Sequence, residues 1–464
     1  MKDSSRGKSS VFNDVCMGLA VIVLAWGMAI PAMAVPSFSR QTGMSCMACH
    51  TVFPELTAYG RWFKLNGYVS GEADKVTEKD DKTGDVSLEI LKGTPLSAMI
   101  QITDTFVQKN SIAAPGPAAG DDGMGVVGFP EQLSLFYAGE ITPNVGAFAQ
   151  MTYDFQSGVL HSDNTDIRYT THFDMNGRDG IFGLTLNNNP TVEDVYNSTP
   201  AWGYPYSTSA TVPKPETAPQ ITTLGGSVAG LGAYVSLDKL LYVEATAYRS
   251  APQGGSVPSE VIQGYAPYLR MALSQEVDDH SFELGGFAMM ENGEPTFADA
   301  VNITMTGIPS GYKADYFEDW GADAQYQFTT KDHQFSAQAC WIREYQTWNS
   351  TFNTNDGTNF GSQNLNDQLE LFKANLTYYY QRQIGFTLGY FGMGGSTDYS
   401  LYANGNPETQ GMVYEINFAP WLNTKFTLQY TQYFYFNGGG TDTYDGVNYA
   451  KDNNTAMAMA WFAY

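Results

Sequence analysis

The chain has few cysteines, and this scarcity limits what they can do. Only four occur among 464 residues. One of them, Cys16, lies in a predicted targeting segment, which leaves Cys46, Cys49 and Cys340 in the exported chain. A small secreted fold held together by several disulfides is therefore excluded, because such folds need many paired cysteines. Cys340 falls in a strand-like stretch, where we expect a buried free thiol.

Basic residues are also scarce. The chain has 24 Lys and Arg residues against 48 Asp and Glu residues, which gives a formal net charge of −24. Proteins that bind nucleic acid neutralise its phosphates with Lys and Arg. The composition therefore predicts that nucleic acid is not a partner.

Long apolar runs are missing beyond the N-terminus. Residues 1–34 combine three basic residues, an apolar run of about 14 residues and the small-residue site Ala32-Met33-Ala34, a pattern typical of a secretory signal peptide. The alternative is a retained N-terminal anchor. No later run approaches the roughly 20 apolar residues of a transmembrane helix. An exported chain reaches a compartment that permits disulfides.

The rest of the chain, residues 95–464, alternates between strand-like segments and connections. Aromatic residues make up 14% of the chain, and 47 glycines are present. Within 424–436, Phe426, Leu428 and Tyr430 share one parity, while Lys425 and Thr427 take the other. Because a strand points alternate side chains to opposite faces, one face is apolar and aromatic and the other polar.

The connections between these segments alternate in length. Tight ones, such as Leu237-Asp238 and Gln381-Arg382, are followed by long polar ones, such as 188–227 and 348–366. Short turns on one side, long loops on the other and about sixteen strands are typical of an outer-membrane barrel. We therefore predict an all-β fold, an outer-membrane β-barrel of about sixteen antiparallel strands, with a lumen wide enough for water. The alternatives are a soluble β-sandwich and a secreted β-solenoid, although no fixed-period repeat supports the latter.

The heptad MSCMACH, residues 44–50, holds two of the four cysteines. C-x-x-C-H is the attachment pattern for c-type haem. Cys46 and Cys49 would form thioethers with the haem vinyl groups, and His50 would ligate the iron. A thioredoxin-type redox disulfide, a zinc site and a chance match are the alternatives. No βαβ unit supports the first of these, and no second Cys or His pair supports the second.

Residues 35–94 form a predicted monohaem c-type cytochrome domain, a small α-helical segment. Its sequence predicts one helix over 54–66, with Pro54 in the first turn and Gly67 beyond the end. Leu56, Tyr59 and Phe63 would share a face that covers the haem, and Gly60 would permit close backbone approach. The candidate propionate partners are Arg40, Arg61 and Lys64. The sequence does not identify the sixth ligand of the haem iron. Met99 is better placed for packing than for ligation, and the barrel histidines that could serve are His161, His172, His280 and His333.

The stretches PSFSRQTGMSCMACH (36–50), FPEL (53–56) and YGRWFKLNGY (59–68) resemble the fused monohaem c-type cytochrome–porin family of iron-oxidising bacteria. The resemblance implies a small cytochrome joined to an outer-membrane barrel, electrons taken from extracellular Fe(II), and haem bound by Cys46, Cys49 and His50. Ser39 and Thr51-Val52 depart from the family pattern, as expected of a sister branch.

The leading functional hypothesis is electron transfer across the outer membrane through one covalent haem c. The expected partners are outer-membrane lipid, a periplasmic electron carrier and an extracellular reduced donor, for which Fe(II) is one candidate. One alternative is a porin for solute passage, with the cytochrome as plug or sensor. Another is a periplasm-facing cytochrome anchored by a barrel.

Overall fold

The computed structural model describes residues 36–464, except 52, 72, 85, 110–124, 155–157, 197–206, 226, 252–259, 296–313, 353–360 and 422. The predicted signal segment, residues 1–34, lies outside the described residues. The described helices are α1 (Pro36–Thr42), α2 (Cys46–Cys49), α3 (Ala58–Leu65) and α4 (Pro190–Glu193), with 3₁₀ turns at Gln220–Thr222 and Ala450–Asn453. None of these helices has both the length and the apolar character needed to cross a bilayer.

The described strands form a two-stranded hairpin and one large sheet. They are β1 (Lys75–Lys79), β2 (Val86–Leu91), β3 (Leu96–Val107), β4 (Gly125–Thr142), β5 (Val145–Asp154), β6 (Val159–Asp174), β7 (Asp179–Asn187), β8 (Val228–Leu237), β9 (Leu241–Ser250), β10 (Glu260–Ile262), β11 (Ala266–Val277), β12 (His280–Pro295), β13 (Asp315–Thr329), β14 (His333–Thr347), β15 (Asn366–Tyr380), β16 (Ile384–Gly395), β17 (Thr409–Trp421), β18 (Thr424–Tyr435) and β19 (Thr455–Ala463).

The large sheet closes into a barrel. Neighbouring strands from β3 to β9 and from β11 to β19 pair antiparallel, and β9 pairs with β11. The ring closes where β19 pairs with β3, with Ala463 opposite Met99. The short β10 pairs only with the end of β12. Among the described residues, sixteen strands therefore form a closed antiparallel barrel, as the sequence predicts.

Tight turns lie at one end of the barrel. The turn from β8 to β9 places both Asp238 and Lys239 at positive φ, 53° and 56°, and Gln381 and Arg382 repeat this between β15 and β16 with φ of 49° and 61°. Two such residues in sequence make the turn that matches the right-handed twist of paired strands. The strand β3 begins and the strand β19 ends at this same short-turn end.

The wall of the barrel is apolar outside and polar inside. Along β11, Leu269 and Met271 are 57% exposed, while Arg270 between them is 2% exposed. Such a wall presents apolar side chains to its surroundings. Because the barrel is closed, each strand hydrogen-bonds to neighbours on both sides, as a bilayer requires. The barrel is therefore of the outer-membrane type.

The N-terminal segment, residues 36–68, lies inside the barrel at the short-turn end. Gln41 Nε2 donates to Ala138 O over 2.9 Å, and Tyr68 Oη donates to Asp166 over 2.6 Å. On the opposite wall, Arg61 Nη1 donates to Gln327 Oε1 over 2.9 Å. The segment thus spans the lumen from wall to wall.

After the N-terminal segment, the chain forms the hairpin of β1 and β2, which the sequence did not predict. Lys75 Nζ lies 2.5 Å from Glu140 Oε1 near the end of β4. Val76, Leu88 and Ile90 on the hairpin are exposed. The predicted domain boundary at residue 94 falls between this hairpin and β3.

The described parts of the connection 188–227, residues 188–196 and 207–225, also lie in the lumen, although the polar sequence of the connection predicts an external loop. Asp194 lies 3.4 Å from Arg270 Nε, and Ile221 N donates to Asp319 over 3.2 Å. Tyr433 Oη donates to Pro213 O over 3.0 Å. A polar loop is stable there because the inward faces of the strands carry the hydrogen-bonding and charged groups that satisfy it.

Candidate functional site

The cysteines of the C-x-x-C-H motif lie on a single helical turn. Helix α2 runs from Cys46 to Cys49, and residues three apart on a helix share a face. His50 follows in an extended conformation, and its N–H donates to Cys46 O over 2.9 Å. The motif therefore presents both sulfurs and the imidazole from one compact turn.

Two backbone carbonyls fix the ring of His50. Its Nδ1 lies 3.2 Å from both Pro54 O and Glu55 O. Because carbonyls only accept hydrogen bonds, Nδ1 carries the proton and Nε2 presents a free lone pair. Burial lowers the pKa of His50 to about 4, although the two carbonyls act in the opposite direction. The imidazole is thus neutral at pH 7, which is the form that binds metals.

Neither Cys46 nor Cys49 forms a disulfide, and both side chains are at least partly buried. Cys46 is 6% exposed, and its sulfur lies 3.6 Å from Ser39 Oγ. Burial first, and the neighbouring Cys46 second, raise the pKa of the Cys49 thiol to about 12. Redox-active C-x-x-C motifs instead lower the pKa of one thiol. The pKa shift at Cys49 is thus opposite in direction to that of a thioredoxin-type motif. Among the described residues, no three His, Cys, Asp or Glu side chains cluster closely enough to hold a metal ion.

Helix α3 packs directly on the backbone of α2. A Cβ at Gly60 would lie 2.2 Å from Cys49 O, so only glycine fits this contact. Thr57 caps α3 by accepting from Gly60 N over 3.2 Å, and its hydroxyl donates to Ala48 O over 2.6 Å. The predicted close approach at Gly60 thus exists, and its partner is the motif itself.

The predicted helix over 54–66 is too long at its start. Helix α3 begins at Ala58, because the carbonyls of Pro54 and Glu55 turn back to His50 instead of continuing a helix. The predicted end is confirmed, since Gly67 has φ of 67° just past the last turn. A left-handed residue at this position commonly ends a helix, and glycine adopts it without strain.

A cavity opens beside the motif. Its volume is about 320 Å³, which lies at the lower end of the roughly 300–1,000 Å³ of typical ligand pockets. Cys46, Cys49 and His50 all line it. Its other apolar lining comes from both the N-terminal segment and the barrel: Phe38, Leu56, Phe63, Met99, Phe136, Met459 and Trp461.

The three residues predicted to cover the haem lie in two different places. Leu56 and Phe63 line the cavity, whereas Tyr59 packs against Trp62, with ring centroids 5.9 Å apart. Leu56 precedes α3, so the three residues do not form one helical face. Met99 is buried beside Cys46, as expected of a packing residue, and it also lines the cavity.

The three predicted propionate partners lie in different places. Lys64 lines the cavity, but its ammonium donates to the carbonyls of Val192 and Asp194. Arg61 is buried against the opposite wall of the barrel. Arg40 is exposed, and its guanidinium donates to Leu96 O over 2.5 Å.

The barrel histidines are not among the residues that line the cavity. Within the described residues, His280 and His333 each lie 2.8 Å from a tyrosine hydroxyl of the neighbouring strand. His172 lies 2.8 Å from Asn66 Oδ1, and His161 is half-buried on β6. Sequence reasoning missed Met459, Trp461 and Lys425 as cavity residues. The inward parity of Lys425 was readable from the alternation, but its position beside the motif was not.

Comparisons with known proteins find similar folds among solved outer-membrane proteins. No family model matches the chain, and no curated protein matches it. Among solved structures, the outer-membrane channel DcaP of Acinetobacter baumannii is 13% identical with a TM-score of 0.46, over 80% of this chain and 96% of that one. OmpT of Vibrio cholerae in its trimer form is 9% identical with a TM-score of 0.46, over 80% and 98%. Salmonella typhi OmpF, in complex with daunomycin, is 12% identical with a TM-score of 0.44, over 80% and 97%. At these identities and TM-scores, the likeness transfers no function to this chain.

Proposed function

We propose that this outer-membrane barrel holds one covalent c-type haem inside its lumen and transfers electrons between an extracellular donor and a periplasmic carrier. The carrying observation is the motif's geometry. Both thiols and a neutral His50 line one cavity, and the carbonyls of Pro54 and Glu55 hold Nδ1 so that Nε2 is free to ligate iron. Metal-ligating histidines in general donate their other ring N–H in this way.

Each residue has a definite task in this arrangement. Cys46 and Cys49 provide the thioether sulfurs, and His50 provides the proximal nitrogen. Haem c supplies reversible one-electron chemistry at its iron when bound. The apolar lining from Phe38, Phe63 and the barrel wall would shield part of a bound haem from water, and such burial is one of the factors that set a haem potential.

The position of the cavity supports electron transfer across the outer membrane. A hydrocarbon core is about 30 Å thick, so a haem outside the barrel would leave that whole distance to a donor at the loop side. The N-terminal segment instead lies within the lumen, where Tyr68 and Arg61 contact opposite walls. A donor that reaches the loop side, with Fe(II) as one candidate, therefore faces a shorter path.

The first test is whether the chain carries covalent haem. The full-length protein is purified in detergent from cells that mature c-type cytochromes, and haem is detected on a denaturing gel and by intact mass. We expect one haem in the natural chain and none in the Cys46→Ala/Cys49→Ala variant. A natural chain without covalent haem would contradict the proposal.

The second test concerns the donor. The oxidised protein is mixed anaerobically with Fe(II), and its visible spectrum is followed. Reduction within seconds supports Fe(II) as donor, whereas reduction by dithionite alone retains the electron-transfer role and rejects Fe(II). Since His50 ligates iron in the proposal, a His50→Ala protein that binds haem and reacts at the natural rate would refute it.

Solute passage is the second candidate function. A sixteen-stranded barrel by itself is wide enough for a water-filled channel. In this chain, however, the N-terminal segment crosses the lumen, and the described parts of the connection 188–227 contact the inner wall of the barrel. Conductance in planar bilayers separates the two candidates: an occluded electron-transfer protein passes little current, and a porin passes a large one.

A further inference from the structure

The charged side chains that line the cavity are few. Apart from His50, they are Lys64, Asp163 and Lys425 among the described residues. Two of them have close partners. Lys64 donates to the carbonyls of Val192 and Asp194. Asp163 accepts hydrogen bonds from Thr152, over 3.0 Å, and from Asn164, over 3.2 Å.

Lys425 is different. It belongs to the inward face of β18, at the short-turn end, where its backbone lies opposite Trp461 of β19. The residue is 8% exposed, yet no carboxylate among the described residues lies within ion-pair distance of its ammonium. Glu415 attracts it only from farther away, and the Oε1 of Glu415 already accepts from Asn417.

A buried lysine without a close counterion is unusual. Lysine is almost never buried unless it is paired, and an isolated buried ammonium costs several kcal/mol. An anion in the adjoining cavity would offset this cost. The side chain lines the same cavity as Cys46, Cys49 and His50, so an occupant attached to the motif would share that cavity with Lys425.

We propose that Lys425 is the counterion for an anionic carboxylate of the cavity's occupant, which under the proposed function is a haem propionate. This inference rests on the proposed function and adds a binding residue that comes from the barrel wall. It also gives the barrel a direct electrostatic influence on the haem. A fixed positive charge beside haem disfavours the more positive oxidised state, so it raises the reduction potential.

The test is a redox titration of the purified full-length protein in detergent, read from the visible spectrum. The neutral variants are Lys425→Gln and Lys425→Met, and Lys425→Arg retains the charge because arginine is always protonated. The matched control is Lys373→Met. Lys373 is another lysine on the inward face of a strand, β15, but it does not line the cavity.

The natural chain, Lys425→Arg and Lys373→Met should titrate together. Lys425→Gln and Lys425→Met should both lower the ratio of reduced to oxidised haem about tenfold at a fixed ambient potential, which is about 59 mV for one electron. Equal potentials in all variants would overturn the inference, as would a Lys425→Arg protein that behaves like Lys425→Met. A natural chain without covalent haem would instead refute the proposed function and this inference with it. If one neutral variant fails to fold, the other decides.

Discussion

The contact between Gly60 and Cys49 provides the most direct test of how α3 packs on the motif, because it does not depend on any bound group. In Gly60→Ala, the added Cβ would lie 2.2 Å from Cys49 O, whereas ordinary contact begins at 3.4 Å. The difference of 1.2 Å between those two distances must come from separating α2 and α3. Neither side can yield easily, because Cys49 O is a backbone atom and the alanine Cβ is bonded directly to the backbone.

The expected cost follows from two opposing effects. Overpacking a tight contact costs about 1–3 kcal/mol, while alanine in place of glycine favours a helix by up to about 1 kcal/mol. A net loss of about 1–2 kcal/mol would increase the open population of the motif roughly 5- to 30-fold.

The assay is alkylation of Cys46 in the haem-free full-length chain refolded into detergent, with the modified sites identified by mass spectrometry so that Cys340 is distinguished. Alkylation of Cys46 in Gly60→Ala should be roughly 5- to 30-fold faster than in the natural chain, because its rate follows the open population when opening and closing are fast relative to alkylation. The control is Gly93→Ala, where the added Cβ meets nothing within 4 Å and no change is expected. Equal rates in Gly60→Ala and the natural chain would show that α3 does not close on the motif as described.

Three further predictions concern charge and anchoring. Burial depresses the pKa of His50 from 6.5 to about 4 in the haem-free chain. As the pH falls, the unfolded segment therefore takes up a proton before the folded one does, so the stability that His50 contributes is full above pH 6.5 and falls toward pH 4. Cleavage of residues 36–68 by protease should increase over that pH range. His50→Gln, which has no imidazole to protonate, should lack this increase. Arg61→Met removes three buried hydrogen bonds, which should lower the stability of the N-terminal segment in the lumen by about 1–3 kcal/mol. Conductance of the protein in planar bilayers should therefore increase. Arg40→Met, at an exposed site, should have little effect. Arg270→Met removes the cation that faces three carboxyl groups, which should lower the free energy of unfolding by about 3–5 kcal/mol. Protease should then cleave the connection 188–227 faster, whereas Arg249→Met should cause no such change. An unchanged cleavage pattern in Arg270→Met would refute the role of Arg270.

Several features were predictable because they depend on local patterns. The period of two along 424–436 places Lys425 and Thr427 inward, and the structure agrees. The paired positive-φ residues of the tight turns occur where the sequence predicts turns. Cys340 is a buried free thiol, as expected. The haem and its attachment to Cys46, Cys49 and His50 stay predictions, because they concern a bound group and not the fold.

Other features were misjudged because their causes are not local. The start of α3 depends on where the carbonyls of Pro54 and Glu55 bind His50, and a helix propensity cannot register that contact. The polar connection 188–227 reads as an external loop, since burial of such a sequence is normally unfavourable. It folds inward here because the lumen wall offers it charged partners, Arg270 among them.

Local sequence accounts for the strand alternation, the turn positions and the spacing of Cys46, Cys49 and His50, because each of these is set by neighbours a few residues apart. Which residues share the cavity depends instead on contacts between distant parts of the chain. Barrel closure brings Met99 of β3, Trp461 of β19 and Lys425 of β18 to the motif. These residues are far from the motif along the chain, and the pairing of first and last strands, which no local pattern encodes, places them beside it.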